Sequence, residues 1–170
     1  MEAYRMPNDK LPRELYRVDY PESRTTYNKI DGFVAGDSTK TYEESDQDDF
    51  KQDIVKQFTW SHRNPLPFIS LFSDLDHAEN WGLKEPWRDP SSFSPRGNWT
   101  LYAINTTLLV NATLFKLGDL VQRLQLQIPK NAQQHIDGAY LCLHRIPTSS
   151  IIKQRDWKQV ADDKEDRYWE

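Results

Sequence analysis

Leu15-Tyr16-Arg17-Val18-Asp19 and, about fifty residues on, Phe68-Ile69-Ser70-Leu71-Phe72-Ser73 are the two stretches whose reading decides the fold. Each is a short run rich in aromatic and branched residues, bounded by polar or proline positions, and reads as a strand. Each also carries one group suited to a charged, hydroxylated ligand. Arg17 brings a planar, permanently charged fork that matches a pyrophosphate better than lysine does. Ser70 brings a hydroxyl that can orient the arginine or a ribose. A third strand, Asp137-Gly138-Ala139-Tyr140-Leu141-Cys142-Leu143, is where a carboxylate completing such a site belongs, and the acid nearest its start is Asp137.

Around these words the chain organises itself by punctuation. Glu14–Asp19 forms the first strand, stopped by Pro21. Asp31-Gly32 is a favoured hairpin pair, followed by the extended Phe33-Val34-Ala35. Ser45 with Asp48 three residues later opens a helix, on which Phe50, Ile54, Val55 and Phe58 share a face. Pro65 and Pro67 precede the strand Phe68–Phe72. Ser73-Asp74 then caps a second helix carrying Leu75, Ala78 and Trp81, closed by Gly82. The prolines at 86, 90 and 95 mark residues 83–97 as a long surface loop. Asn98 to Leu109 reads as one or two strands, and Leu117, Leu120, Val121 and Leu124 as a third helix ending before Pro129. Tyr140–Arg145 is the last strand. Strands and helices that do not strictly alternate predict an α+β fold. The boundaries expected are a polar lead-in over 1–12, one domain over 13–153, and a charged tail over 154–170 that Trp157, Tyr168 and Trp169 could dock.

Composition narrows the function. With 170 residues, 37% hydrophobic and 28% charged, the chain can bury one core beneath a wet surface. The net charge of −4 and pI of about 5.6 lack the basic footprint of a nucleic-acid binder. Glu43, Glu44, Asp46, Asp48, Asp49 and Asp53 against Lys51 read as a solvated approach to the first helix. One cysteine, Cys142, excludes an internal disulfide and a cysteine zinc site, and His62, His77, His135 and His144 show no metal-ligand spacing. No apolar stretch at the N-terminus resembles an export signal, and no run is long enough to cross a bilayer, so an intracellular chain without a membrane partner is expected. The sequons at Asn98, Asn105 and Asn111 then read as ordinary strand-rich sequence. No glycine-rich phosphate loop, nucleophile elbow or Cys/His dyad occurs.

Taken together, the segments resemble the ADP-ribosyltransferase fold of the Arg–Ser–Glu type, the group of the enterotoxin A chains and pierisin-like enzymes. Leu15-Tyr16-Arg17 is similar to its first motif. Phe68-Ile69-Ser70, with Ala78 eight positions after the serine, is similar to the second. The strand running into Ile146-Pro147 is similar to the third. The resemblance covers most of residues 13–152. The words "LYRV…TTY…GF" and "PLPFISLFSD…HAENW" also resemble an uncharacterised fungal family. What the likeness implies is a split β-sheet core with about three flanking helices, and NAD held by Arg17 and Ser70. Counting as the family does, however, Ala139 stands where the catalytic glutamate belongs, and Asp137 where the residue two before it sits. Leu71 and Phe72 replace the threonine and second serine of the middle motif.

The transfer chemistry explains why these departures matter. Cleaving the nicotinamide ribose passes through an oxocarbenium-like cation that a fixed carboxylate stabilises, typically by about 10²–10³ in rate. A displacement of about 1 Å can cost roughly a hundredfold. Asp137, two residues from Ala139, faces the same side of the strand, so a bulge at Gly138 could bring it and Ser70 into a catalytic pair. Without that bulge the chain is a ligand- or protein-binding module on an inactive transferase scaffold; with it, a mono-ADP-ribosyltransferase of unspecified target. Each site residue has a plainer role open to it. Arg17 could pair with Asp19 or Glu22, Ser70 could be packing, His135 could serve as a base near Asp137 but reads rather as a surface or capping residue, and His144 and Arg145 read as local ion-pair formers.

Overall fold

In the computed structural model the structure describes residues 1–84 and 98–170. In chain order the elements are β1 (Glu14–Asp19), β2 (Thr26–Asn28), β3 (Gly32–Val34), α1 (Gln47–Gln57), β4 (Phe68–Phe72), α2 (Leu75–Lys84), β5 (Thr100–Asn105), β6 (Leu114–Lys116), α3 (Leu117–Leu124), β7 (Ala139–Leu143), β8 (Arg145–Ile146), β9 (Ile151–Asp156) and α4 (Trp157–Trp169). Among the described residues they build a six-stranded antiparallel sheet, β6-β7-β4-β1-β5-β9, and a three-stranded one, β2-β3-β8.

Alternation along β4 shows how the layers are made. Phe68 and Phe72 face one way and join Phe50, Ile54, Trp99 and Leu120 in a helix-covered core. Ile69 and Leu71 face the other way and pack with Leu15, Phe33, Tyr102 and Ile146 in a second core shared with the small sheet. The strand is therefore buried on both faces, which is why it reads as a continuous apolar run interrupted only by Ser70.

The sheet parts in its middle. β1 pairs with β5 over six residues and β4 with β7 over five, but β1 meets β4 at the single pair Tyr16↔Phe72. Beyond that pair, continued pairing would set Arg17 opposite Leu71 and Val18 opposite Ser70. The ladder stops instead, and the gap is the candidate site.

Two glycines are fixed by close approach. At Gly32, φ is +77°, and a β-carbon there would lie 2.1 Å from the carbonyl oxygen of Ile146, so β3 and β8 can pair only over a glycine. Gly82 does not close α2, as the sequence suggests; the helix runs on to Lys84. A β-carbon at Gly82 would come within 2.5 Å of the Trp99 indole, which is fully buried against it. Gly82→Ala is expected to lose about 1–3 kcal/mol in a urea titration, overpacking outweighing the roughly 1 kcal/mol gained in helix propensity. A stabilised variant would contradict this packing.

Other elements depart from the sequence reading in instructive ways. Ser45 does not cap α1: it lies within a 3₁₀ turn, Glu44–Asp46, around which Glu43 and Asp46 cap each other's backbone, and α1 follows directly from Gln47. Residues 1–12 hold two 3₁₀ turns, with the Met6 N–H donating to Leu114 O at 2.7 Å and Tyr4 ringed by Phe50 and Arg123. β9 crosses position 153 and pairs along β5, and α4 follows from it, capped by Asp156 and Gln159. The α2–α4 contact is sealed by Glu79, fully buried, which accepts from Arg155 at 2.8 Å and from Arg167. The expected surface loop falls on residues 85–97, outside the described residues, except for Leu83 and Lys84 in α2. No helix among the described residues is long and apolar enough to cross a membrane.

Candidate functional site

A cavity of about 260 Å³ opens at the parting of β1 and β4. Its floor is Arg17, Val18, Ser70 and Phe72. Its walls come from the β1–β2 connection (Tyr20 to Thr25), the end of α1 and the following turn (Gln57 to Trp60, with Arg63), Trp81 on α2, and the 3₁₀ segment Lys130–His135. Arg17 and Ser70, expected to converge from two strands, do line one cavity.

Their geometry is more specific than the sequence implied. Arg17 is 5% exposed. It does not pair with Asp19 or Glu22. Its Nη1 donates to the main-chain oxygen of Ser70 at 3.0 Å, and its Nη2 to Ser23 Oγ at 2.6 Å. The guanidinium thus satisfies a carbonyl beside the parted strands, and its charge is placed there by the split itself. The Nε is buried and has no protein partner. Burial pushes the Arg17 pKa down from its ordinary value, with Tyr20 and Asp19 opposing; a buried guanidinium is costly without an anion beside it. The Ser70 hydroxyl accepts from Gln57 Nε2 at 2.8 Å, and Gln57 Oε1 is likewise buried without a partner.

Two more arginines face the same space. Arg24 donates to the carbonyls of Gln57 and His62 at 2.9 and 3.1 Å, closing the open end of α1. Burial lowers its pKa, and the charges of Arg63 and Arg17 lower it further. Arg63 reaches Glu22 at 3.3 Å and lies 5.5 Å over the Trp60 ring. Phe72, Trp81 and Trp60 supply flat apolar surface among these cations, with Tyr20 stacked on Trp60 at 5.9 Å and edge-on to Trp81. Among the described residues no carboxylate lines the cavity.

The third motif explains that absence. The β4–β7 ladder keeps one register through all five pairs, from Phe68↔Leu143 to Phe72↔Ala139, so no bulge shifts it. Ala139 is fully buried against Phe72, where a glutamate would face the split. Asp137 is exposed in the turn before β7 and does not line the cavity. Gly138, whose bulge could have moved it, is tied down: its carbonyl accepts from Ser73 N–H at 2.9 Å and from Ser73 Oγ at 3.2 Å. Leu71, in place of the threonine, is core, whereas Phe72, in place of the second serine, walls the cavity.

Sequence reasoning missed several of these groups. His135 is not a surface residue; it is 7% exposed, lines the cavity, and its Nδ1 sits 2.9 Å from His77 Nε2. Burial, with His77 beside it, lowers its pKa to about 4. Gln57, Ser23, Arg24 and Arg63 lie in segments without a motif, and only their polarity beside apolar runs marked them. Among the described residues His144 makes no ion pair; at φ 65° its ring meets the Lys40 carbonyl at 2.5 Å. Asn105, in a sequon, uses its carbonyl to accept from Thr107 N and Oγ1, closing a local turn.

Comparison with known proteins agrees with this architecture. A family model described as "Domain of unknown function (DUF7587)" matches residues 10–160, so the chain belongs to that family. No curated protein matches it. Among solved structures it is similar to EcPltA, with a TM-score of 0.52 at 15% identity, covering 86% of this chain and 77% of that one. The fold is α+β and ADP-ribosyltransferase-like, as expected from the sequence.

Proposed function

We propose that this member of the DUF7587 family is a binding module on an inactive ADP-ribosyltransferase scaffold, taking NAD or its ADP-ribose portion in the cleft between β1 and β4. The similarity to EcPltA, of the pertussis-like ADP-ribosyltransferase toxin family, supports NAD as the candidate ligand. The observation that carries the reading is the make-up of the cavity: Arg17, Arg24 and Arg63 between aromatic walls, with no acid among the described lining residues. Such a lining suits a pyrophosphate flanked by planar rings. Among the described lining residues no fixed negative charge would stabilise a cationic ribose, and three guanidinium groups would oppose it. Binding is thus retained while the electrostatic half of catalysis is missing.

Calorimetric titration tests this. NAD and ADP-ribose are expected to bind with micromolar affinity, and nicotinamide release is expected to stay at the uncatalysed rate. Absence of heat at millimolar NAD would overturn the reading in favour of a pure protein-interaction role; Arg17-dependent release of nicotinamide would overturn it in favour of an active transferase.

A further inference from the structure

His135, a titratable residue of the cavity wall, is paired with His77 behind it. His135 is buried at the end of the 3₁₀ segment, and His77 reaches it from the first turn of α2. Phe72 and Trp81 hold the His135 ring on two sides, with centroids at 5.3 and 5.6 Å. Because Nδ1 of His135 is taken by His77, its Nε2 is the nitrogen left for a ligand.

The hydrogen count of such a pair has a consequence. A 2.9 Å contact between two ring nitrogens needs one hydrogen between them. Two neutral rings have one further hydrogen, which sits either on His77 Nδ1 or on His135 Nε2. In the neutral pair, then, Nε2 can be a donor or an acceptor. Add one proton and the ambiguity ends: whichever ring is formally charged, both outer nitrogens carry hydrogen, and Nε2 is a donor. The singly protonated pair also puts a positive charge on the wall that Arg17 shares.

Resting on the reading of the cavity as an anion site, we propose that His135, positioned by His77, is a further contact for the ligand's phosphate oxygens and that the oxyanion binds together with one proton. Burial, with His77 beside it, disfavours charge on His135 in the free protein, and the ligand's negative charge opposes that effect. Affinity should therefore rise as pH falls, up to about tenfold per unit at the steepest.

Other groups facing the pair must be weighed. At the start of α2 these are Asp74, just before the helix, which accepts from the His77 N–H at 2.9 Å, and Asp76 within it, tied to Lys164. The 3₁₀ segment and the turn after it bring Lys130 and Asp137; the cavity brings Arg17, Arg24 and Tyr20. Asp19 is the competitor, since burial raises its carboxyl pKa against the pull of Arg17. Its protonation would also favour an anion, but would survive changes to the histidines.

The probe is ADP-ribose, whose pyrophosphate charges do not titrate across the histidine window of about pH 5–8. Titrations in two buffers of different ionisation enthalpy should show uptake approaching one proton per ligand near pH 6, with affinity at least about tenfold higher at pH 5.5 than at pH 7.5. His135→Gln and, because that residue is buried, the half-buried His77→Gln should each flatten the pH dependence and abolish the proton uptake. Binding without proton uptake, or a pH dependence that survives both variants, would overturn the proposal while leaving the cavity reading intact. No ADP-ribose binding at any pH would overturn both.

Discussion

Arg17→Ala is expected to lower ADP-ribose affinity by about a hundredfold or more, the scale for removing a buried, hydrogen-bonded charge from under an anion. The side chain is almost wholly buried, two of its nitrogens are committed to Ser70 O and Ser23 Oγ, and its Nε has no protein partner. Those bonds fix the fork, so its charge costs little ordering entropy when a ligand arrives. Arg17→Lys keeps the charge but cannot hold both anchors and an anion, and should recover only part of the affinity. The variant is also expected to be less stable by about 1–3 kcal/mol, since the Ser70 carbonyl loses its partner. Ser23→Ala separates the two effects: it removes one anchor of Arg17 and should weaken binding far less. Equal affinity in wild type and Arg17→Ala, with both folded by circular dichroism, would place the ligand elsewhere.

The largest stability effect is expected at Glu79. It is fully buried, receives Arg155 and Arg167, and has Lys164 at 3.8 Å. Arg155, itself buried in β9, also holds Asp163 at 2.7 Å. Glu79→Ala leaves the buried Arg155 with only the half-exposed Asp163 as counter-charge and takes from Arg167 its buried carboxylate, a loss of a buried pair that typically costs about 3–5 kcal/mol. Because α4 buries only Val160 of its own residues, it depends on this network, and its amides should exchange far faster in the variant than those of β4. Protection of α4 unchanged from wild type would show that packing, not Glu79, holds it.

How much of this was legible depends on where each residue's instruction lies. β1, β4, α3 and the hairpin before Gly32 carry local signals, namely alternation, helical spacing and turn chemistry, and appear where those signals put them. β9 and α4 carry almost none. Ile151-Ile152-Lys153-Gln154-Arg155-Asp156 is an edge strand with five of its six side chains not buried, so nothing in its pattern marks a buried face. Its place is decided by β5 and by a glutamate 76 residues away. Gly82 misled for the same reason: its partner, Trp99, is distant in sequence. At the site, Arg17 and Ser70 were legible because strands deliver them. Ser23 and Arg24 were not, because the β1–β2 connection brings them in, nor were Gln57 and His77, which sit at the ends of helices whose spacing marks only an apolar face.

Proton NMR of NAD incubated with the protein tests the central claim most directly, since one spectrum reports occupancy and turnover together. The account predicts saturable broadening of the adenine and nicotinamide resonances that disappears with Arg17→Ala, and no accumulation of free nicotinamide. Sharp, unchanged NAD resonances at equal protein concentration, or a growing nicotinamide signal, would contradict it.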